Sequence, residues 1–285
     1  MKHNLLSLSF SFILLVASLP AVALAVDLPA TAAVPGGVVV VDLATTTRPE
    51  RVTFNGRPVM MLPNQDSWSA VVGLDLGMKP GQHQLQVHSG QDKPRAQAFT
   101  ITDKAYETQR LTITNKRMVE PEKRDLERIT REQRRISAAL ENWSDATPAT
   151  LRFLLPVKGP MSSPFGLRRF FNDQPRRPHS GLDLAAPEGT PIRNPAAGVV
   201  TETGDFFFNG NTVFVDHGQG LVTMYCHLSR IDVQPGQAVD AGEVIGAVGK
   251  TGRVTGAHLH WGVSLNDARV DPMLFLGELP PVPQP

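Results

Sequence analysis

The sequence of 285 residues contains a single cysteine, Cys226. One thiol excludes an intrachain disulfide and a four-cysteine zinc site. Aromatic residues are scarce at 6%, whereas glycine and proline number 24 each, which favours turns and short strands over long helices. The net charge is also small, because 28 basic residues nearly balance 27 acidic ones. This balance argues against nucleic acid as a partner.

Long apolar runs are lacking beyond the N-terminus, where residues 5–19 are apolar or small and uncharged. Lys2 precedes this run, and residues 23–25 (Ala-Leu-Ala) fit the small-x-small pattern of a cleavage site. The run is shorter than the roughly 20 residues of a membrane-spanning helix. We therefore expect residues 1–25 to be a signal peptide, with no transmembrane segment after its cleavage. The mature protein is then exported, to the periplasm or the extracellular space.

Residues 26–115 consist of short apolar runs separated by turn signals. The strongest hairpin signal is Asn55-Gly56, which lies between the β-prone runs 52–54 and 59–62. About seven such runs predict an Ig-like β-sandwich. Because no cluster of polar residues converges in it, we expect this module to position or gate the rest of the chain. Its removal is expected to leave hydrolysis of small peptides intact or raised.

A charged segment, residues 116–150, has helical periodicity. Its apolar positions recur at steps of three and four along one helix face: Leu126, Ile129, Gln133, Ile136, Leu140 and Trp143. A basic amphipathic helix of this kind can lie on a membrane. Acidic residues are interleaved with the basic ones, however, which favours a connecting helix docked by its apolar stripe.

The glycine-rich region 151–279 contains the residues that are able to ligate a metal or to catalyse a reaction. A proline-rich tail, 280–285, follows it. His179 and Asp183 are four apart, and His258 and His260 are two apart. In strands, both spacings place the pair on one face. Imidazole and carboxylate ligate Zn²⁺, and three protein ligands with an open fourth position are the catalytic arrangement. Spacing alone leaves open the alternative of solvated or hydrogen-bonded polar residues.

Four segments of this region resemble motifs of a known family. Residues 179–183 match H-x-x-x-D, residues 225–228 match Y-x-H-L, and residues 256–260 match G-x-H-L-H. Residues 163–166 (Ser-Pro-Phe-Gly) are similar to the segment that precedes the first motif. In this order they resemble the lysostaphin-type zinc endopeptidases over about residues 151–276. The resemblance implies a mostly β protein whose C-terminal region is an antiparallel β catalytic domain.

The resemblance also implies a role for each matched residue. His179, Asp183 and His260 would ligate Zn²⁺, while His227 and His258 would be catalytic without binding the metal. The implied activity is that of an exported zinc metalloendopeptidase that hydrolyses peptide bonds in peptidoglycan stems or cross-links by a zinc-activated water. The alternative is a catalytically quiet family member that regulates other cell-wall hydrolases, although all five positions are occupied. Nothing in the sequence predicts the oligomeric state.

The roles of three further parts of this region need an interpretation. The loop 168–178 runs into His179, where its arginines either meet carboxylates of a stem peptide or remain solvated. Cys226 and His227 are adjacent, so in a regular strand they point to opposite faces, with the thiol in the core. His217 is predicted to lie in a hairpin turn.

Overall fold

The computed structural model describes residues 27–90 and 93–277. The predicted signal peptide, 1–25, and the proline-rich tail, 280–285, lie outside these residues. Within the described ranges, no helix combines the length and the apolar character that crossing a membrane requires. The described part of the chain is mostly β with one α-helix, and the predicted fold class is confirmed.

The N-terminal region folds into two antiparallel sheets that face each other. Its strands are β1 (Val38–Asp42), β2 (Arg51–Phe54), β3 (Arg57–Pro58), β4 (Met60–Asn64), β5 (Ser67–Gly73), β6 (Gly81–His88) and β7 (Arg95–Ile101). One sheet has the order β1-β5-β4 and the other β3-β2-β6-β7. Asn55 and Gly56 both have positive φ, as their hairpin turn requires. Apolar side chains from both sheets form one core between them.

The sheet β1-β5-β4 is buried on both faces. Met61 points into the sandwich core, whereas Met60 and Leu62 pack into the large core of the C-terminal region. Polar contacts reinforce this second face: the Asn266 side chain donates to Gly73 O at 3.1 Å and accepts from Gly73 N at 2.6 Å. The N-terminal module therefore shares a core with the rest of the chain. That removal of this module leaves hydrolysis of small peptides intact or raised stays a prediction, and the removal would expose the apolar surface that Met60 and Leu62 cover.

The connecting segment comprises β8 (Thr108–Leu111), a 3₁₀ helix (Lys116–Met118) and α1 (Lys123–Leu140). Ile136 and Leu140 of α1 pack against an apolar cluster of the C-terminal sheet, and Arg135 forms an ion pair with Glu202 of that sheet. Leu126, at the other end of the stripe, is 51% exposed. Only the C-terminal half of the apolar stripe is thus docked.

The C-terminal region contains the remaining strands. These are β9 (Met161–Ser163), β10 (Arg168–Phe171), β11 (Gln174–Pro175), β12 (Leu182–Ala185), β13 (Pro191–Arg193), β14 (Gly198–Phe206), β15 (Gly210–Gly218), β16 (Leu221–Leu228), β17 (Arg230–Ile231), β18 (Ala238–Val239), β19 (Val244–Ala247), β20 (His258–Leu265) and β21 (Ala268–Val270). A 3₁₀ helix, Pro272–Phe275, follows.

A central antiparallel sheet organises this region. Its order is β18-β14-β15-β16-β20-β12-β9, with β21 paired to β20. Two smaller sheets, β13-β19-β17 and β11-β10-β8, flank it, and in the second β8 pairs in parallel with β10. The segment before α1 thus helps to hold the strand that approaches His179.

The two faces of the central sheet differ in character. One face, with Tyr225 and Trp261, packs into the large core that also receives the N-terminal sheet. The other face, with Phe214, Met224 and Cys226, lies under α1. The predicted histidine and aspartate residues lie beside this second group, which we call the cleft face.

Candidate active site

Three donor atoms converge at one end of the cleft face. His179 Nε2 lies 3.0 Å from Asp183 Oδ1 and 3.0 Å from His260 Nδ1. His260 Nδ1 lies 2.7 Å from Asp183 Oδ1. Among the described residues, this is the one group of three or more histidine, cysteine or acidic side chains close enough to share a metal ion.

The strand register places two of these donors side by side. Asp183 on β12 is directly opposite His260 on β20, and Ala185 is opposite His258. Directly opposed residues of an antiparallel pair project from the same face. Gly181 is required nearby, because a Cβ there would lie 2.7 Å from the His260 ring.

The third donor, His179, comes from the segment that precedes β12 and not from the strand itself. Its backbone N–H donates to Leu167 O at 2.9 Å, and its carbonyl accepts from Gly166 N at 2.8 Å. The ring atom Nδ1 lies 2.7 Å from Pro164 O. Because a carbonyl only accepts, Nδ1 carries the ring proton and Nε2 presents its lone pair to the other two donors.

Arg169 supports the carboxylate from behind. Its Nη2 donates to Asp183 Oδ2 at 3.0 Å and to Ser163 Oγ at 3.1 Å, while its Nε donates to Gln109 Oε1 at 3.0 Å. Oδ2 is therefore occupied, and Oδ1 remains directed at the two histidines. Such contacts orient a metal ligand and fix which oxygen it offers.

His227 reaches the site through an irregularity in β16. Between Tyr225 and Leu228 the register with β15 shifts by one residue, and His227 has a φ of +69°. This β-bulge interrupts the alternation of side chains. Cys226, opposite His260 in the register, lies on the cleft face, and the His227 ring lies 6.0 Å from the His260 ring. The prediction that Cys226 and His227 point to opposite faces is therefore wrong.

The Cys226 thiol is buried among apolar side chains under α1. Burial raises the pKa of the thiol to about 12, so it stays protonated at neutral pH. A protonated, inaccessible thiol is neither a nucleophile nor a metal ligand.

His227 and His258 are held in the same way. Each donates from Nδ1 to a backbone carbonyl, Thr251 O and Gly256 O respectively, both at 2.9 Å. Their rings are 5.0 Å apart, and His258 Nε2 lies 3.9 Å from Asp183 Oδ1. In both rings the other nitrogen, Nε2, therefore lies close to the three donors without joining them.

Burial sets the charge state of these groups. Burial lowers the pKa of His227 to about 3, with further lowering from His260 and His258. Burial also lowers the pKa of His260 to about 4, against the opposing effect of Asp183. Burial by itself would raise the pKa of Asp183, but His179 and His260 hold it well below its usual value. At pH 7 the imidazoles of His227 and His260 are thus neutral, and Asp183 is a carboxylate.

The donors open into a cleft of about 520 Å³. One wall is α1, through Ile129, Gln133 and Ile136, and another is the β10–β11 hairpin with the residues up to His179. The loop 168–178 is therefore a wall of the cleft. Arg253 and Arg269 also line the cleft.

The structure brings together all five residues that the sequence singled out, His179, Asp183, His227, His258 and His260. Sequence reasoning missed the contact of Arg169 with Asp183, and it missed Arg253 and Arg269, because no spacing pattern separates an inward arginine from an exposed one. It also misplaced His217, which is buried near the end of β15 with both ring nitrogens hydrogen-bonded.

The donor set fits a zinc ion. Two imidazole nitrogens and one carboxylate oxygen are the ligand types of catalytic zinc sites. Their separations of 2.7 to 3.0 Å approach the edge of about 3.3 Å expected for a tetrahedral site with bonds of about 2.0–2.1 Å. No fourth histidine, cysteine or acidic side chain of the described residues joins this group, which agrees with the three protein ligands of a catalytic zinc site.

Comparison with known proteins identifies a family for this chain. Residues 177–272 match the model of peptidase family M23, and residues 31–104 match the model of the peptidase family M23 N-terminal domain. A crystal structure assigned to peptidase M23 of Pseudomonas aeruginosa superposes with a TM-score of 0.74 at 46% identity. It covers 87% of this chain and 97% of that protein.

Curated relatives match a shorter part of the chain. The DD-carboxypeptidase/endopeptidase Mpg of Neisseria meningitidis serogroup B is 46% identical over 113 residues, which is 40% of this chain. The peptidoglycan DD-endopeptidase ShyA of Vibrio cholerae is 40% identical over 134 residues, 47% of this chain. The matched segments span 26% and 31% of those two relatives.

Proposed function

This chain belongs to peptidase family M23, and from that premise we propose that it is an exported zinc metalloendopeptidase that hydrolyses peptide bonds in peptidoglycan stems or cross-links. Zinc dependence follows from the family and from the His179–Asp183–His260 group. The activities of the curated relatives support peptidoglycan as the substrate class. The same relatives support a location in the cell envelope.

The observation that carries the proposal is the convergence of three donor atoms at the floor of an open cleft, with two further histidines beside them. His179 and His260 would hold the metal through Nε2 and Nδ1, and Asp183 through Oδ1. When bound, zinc supplies a Lewis acid that polarises a peptide carbonyl and makes water nucleophilic near neutral pH.

The protein's own part in the reaction is to position and to move protons. Arg169 and the backbone of residues 164–167 fix two of the ligands. His227 and His258 each present an Nε2 lone pair, because Nδ1 is committed to a carbonyl. These atoms can accept a proton from the attacking water and later return it to the leaving amine. No glutamate lines the cleft within the described ranges, so a histidine has to perform this step.

Hydrolysis of purified peptidoglycan, followed by mass spectrometry of the products, tests the proposal. We expect new amino and carboxyl ends in stem or cross-link peptides, loss of the reaction after treatment with a chelator, and recovery on addition of zinc. A zinc-loaded, folded protein that releases no product, but stimulates another cell-wall hydrolase, would instead establish the regulatory alternative. Full activity without metal would refute the proposed chemistry.

A further inference from the structure

The cleft is strongly basic and lacks acidic side chains. Five arginines line it: Arg169, Arg176, Arg177, Arg253 and Arg269. Within the ranges that the structure describes, neither aspartate nor glutamate lines the cleft, and Asp183, one of the three donors, accepts from Arg169. Arg169 is neutralised by that carboxylate. The other arginines leave an excess of positive charge in a partly enclosed space, which attracts an anionic ligand.

Arg269 has the clearest need for a partner. It lies on β21 opposite Ser264 of β20, and it forms no hydrogen bond or ion pair with any described residue. Its Nη1 atom is sealed from solvent without an acceptor. Burial lowers the pKa of the guanidinium to about 10, with partial compensation from Cys226 and Asp75. The group is still charged at pH 7, and leaving such a donor unpaired is costly.

Arg269 lies close to the three donor atoms, where the peptide bond would be hydrolysed. Its Nη1 lies 3.4 Å from the point that a Cβ on Gly262 would occupy. Gly262 is two residues beyond His260 on the same strand face, about 7 Å along β20. Glycine at this position leaves room for the guanidinium to lie over the strand. A group bound there is within about two residues of a peptide bond held at the three donors.

Arg253 supplies a second cationic surface. Its guanidinium lies against the rings of Phe171 and Phe208, at 4.8 and 4.4 Å from their centroids. Its hydrogen bond to Met118 O is long, at 3.4 Å. Burial, with the like charges of Arg169 and Arg176, lowers its pKa to about 10. Aromatic contacts hold the planar group in place, and no other described residue accepts a hydrogen bond from its remaining donors, an arrangement suited to a carboxylate.

We propose that the cleft selects peptides with a free carboxylate within about two residues of the scissile bond, with Arg269 as its main anchor and Arg253 as a secondary one. This inference rests on the proposed peptidase function and adds the substrate class to it. The carboxylate has two possible sources, the C-terminus of the peptide and an acidic side chain. Both offer the same pair of oxygens to a guanidinium.

The test uses one peptidoglycan stem peptide in three forms: unmodified, with its C-terminal carboxylate amidated, and with its side-chain carboxylates amidated. For the wild-type protein, we expect kcat/KM to fall about 10- to 100-fold when the recognised carboxylate is amidated. Arg269→Gln should show the same loss on the unmodified peptide and no additional loss on that amide. The amide that reproduces the loss identifies the source. Arg193→Gln, an exposed arginine outside the cleft, should retain wild-type values.

Equal cleavage of all three forms by the wild-type protein would overturn the inference, as would an equal loss in Arg269→Gln on every form. Arg269→Lys retains the charge and, with zinc analysis and circular dichroism, separates misfolding from lost recognition. Binding of the three forms to zinc-free protein, measured by calorimetry, does not depend on turnover. If no peptide is cleaved but the unmodified form still binds more tightly than one amide, the proposed function fails and this inference stands.

Discussion

Both faces of the central sheet bury histidines, but the hydrogen bonding of these histidines differs between the two faces. On the core face, His217 donates from Nδ1 to Ala197 O at 2.9 Å, and Nε2 lies 2.8 Å from Thr223 Oγ1. On the cleft face, His227 and His258 commit Nδ1 to a carbonyl, but Nε2 has no hydrogen-bond partner within the described ranges. Burial is similar for His217 and His227, at 4% and 8% exposed.

This difference shows that burial alone does not distinguish a structural histidine from a functional one. The distinction lies in whether the second nitrogen has a protein partner. A histidine with two partners is fixed and has no lone pair to offer, whereas one with a single partner is oriented and still able to bind a metal or a proton. The four predictions below test this comparison, beginning with the largest expected effect.

Removal of a donor on the cleft face should abolish the site. We expect His260→Ala to lose both zinc and peptide hydrolysis, because two protein ligands with a solvent-exposed side no longer hold the ion firmly. Zinc content and turnover of the purified variant provide the measurement. The matched control is His217→Ala on the core face, which should retain zinc in its folded fraction. Retention of a full equivalent of zinc by His260→Ala would contradict the assigned ligand set.

The two other cleft-face histidines should separate metal binding from turnover. His227→Ala and His258→Ala are each expected to retain zinc while kcat falls by about 10²–10⁴-fold, because each removes a proton-handling atom but no ligand. Circular dichroism should show both variants folded. Loss of zinc from either variant would mean that its imidazole belongs to the metal site.

On the core face, His217 should make stability depend on pH. Burial lowers its pKa to about 4, against the opposing effects of its bond to Ala197 O and of the Asp216 charge. In the unfolded chain, a histidine binds its proton near pH 6.5. As the pH falls from 6.5 to 4, the unfolded state therefore takes up a proton that the native state does not. The contribution of this group, about 3 kcal/mol, is complete above pH 6.5 and is lost on acidification.

Urea unfolding of zinc-loaded wild type and His217→Gln at pH 7 and pH 4 measures this contribution. The decrease in free energy of unfolding between the two pH values should be about 3 kcal/mol smaller in the variant. Other titrating groups are common to both proteins and cancel in the comparison. An identical pH dependence in both proteins would show that His217 does not titrate as its burial requires.

The smallest effect concerns the junction between the core face and the N-terminal sheet. Asn266 has a positive φ, and its side chain accepts a hydrogen bond from Gly73 N and donates one to Gly73 O. Asn266→Gly preserves the turn but leaves the buried Gly73 amide without its acceptor, which should cost about 1–3 kcal/mol of unfolding free energy. Asn55→Gly, at an exposed turn with positive φ, is the matched control. Equal stability of both variants would mean that the junction contributes little.

Prediction from the sequence succeeded where a short repeat of residues determines the local backbone and side-chain geometry. The spacing of His258–His260 predicted side chains on one strand face, and Asn55-Gly56 predicted a hairpin, because strand alternation and turn dihedral angles are local properties. The prediction that His179 and Asp183 share a strand face was wrong, because His179 lies before β12 and is held by the backbone of Gly166 and Leu167. It did not anticipate the bulge that turns His227, because one inserted residue leaves no trace in composition. The core that the N-terminal and C-terminal regions share was also not predicted. Met60 and Met61 give the same apolar signal in the sequence, although they face different cores.

X-ray absorption spectroscopy of the zinc-loaded wild-type protein tests the central claim most directly, because it counts the ligands around the ion. We predict one zinc per chain, with nitrogen and oxygen neighbours at about 2.0–2.1 Å and the outer-shell signal of two imidazoles. A sulfur neighbour at about 2.3 Å, or the signal of three or more imidazoles, would contradict a site built from His179, Asp183 and His260.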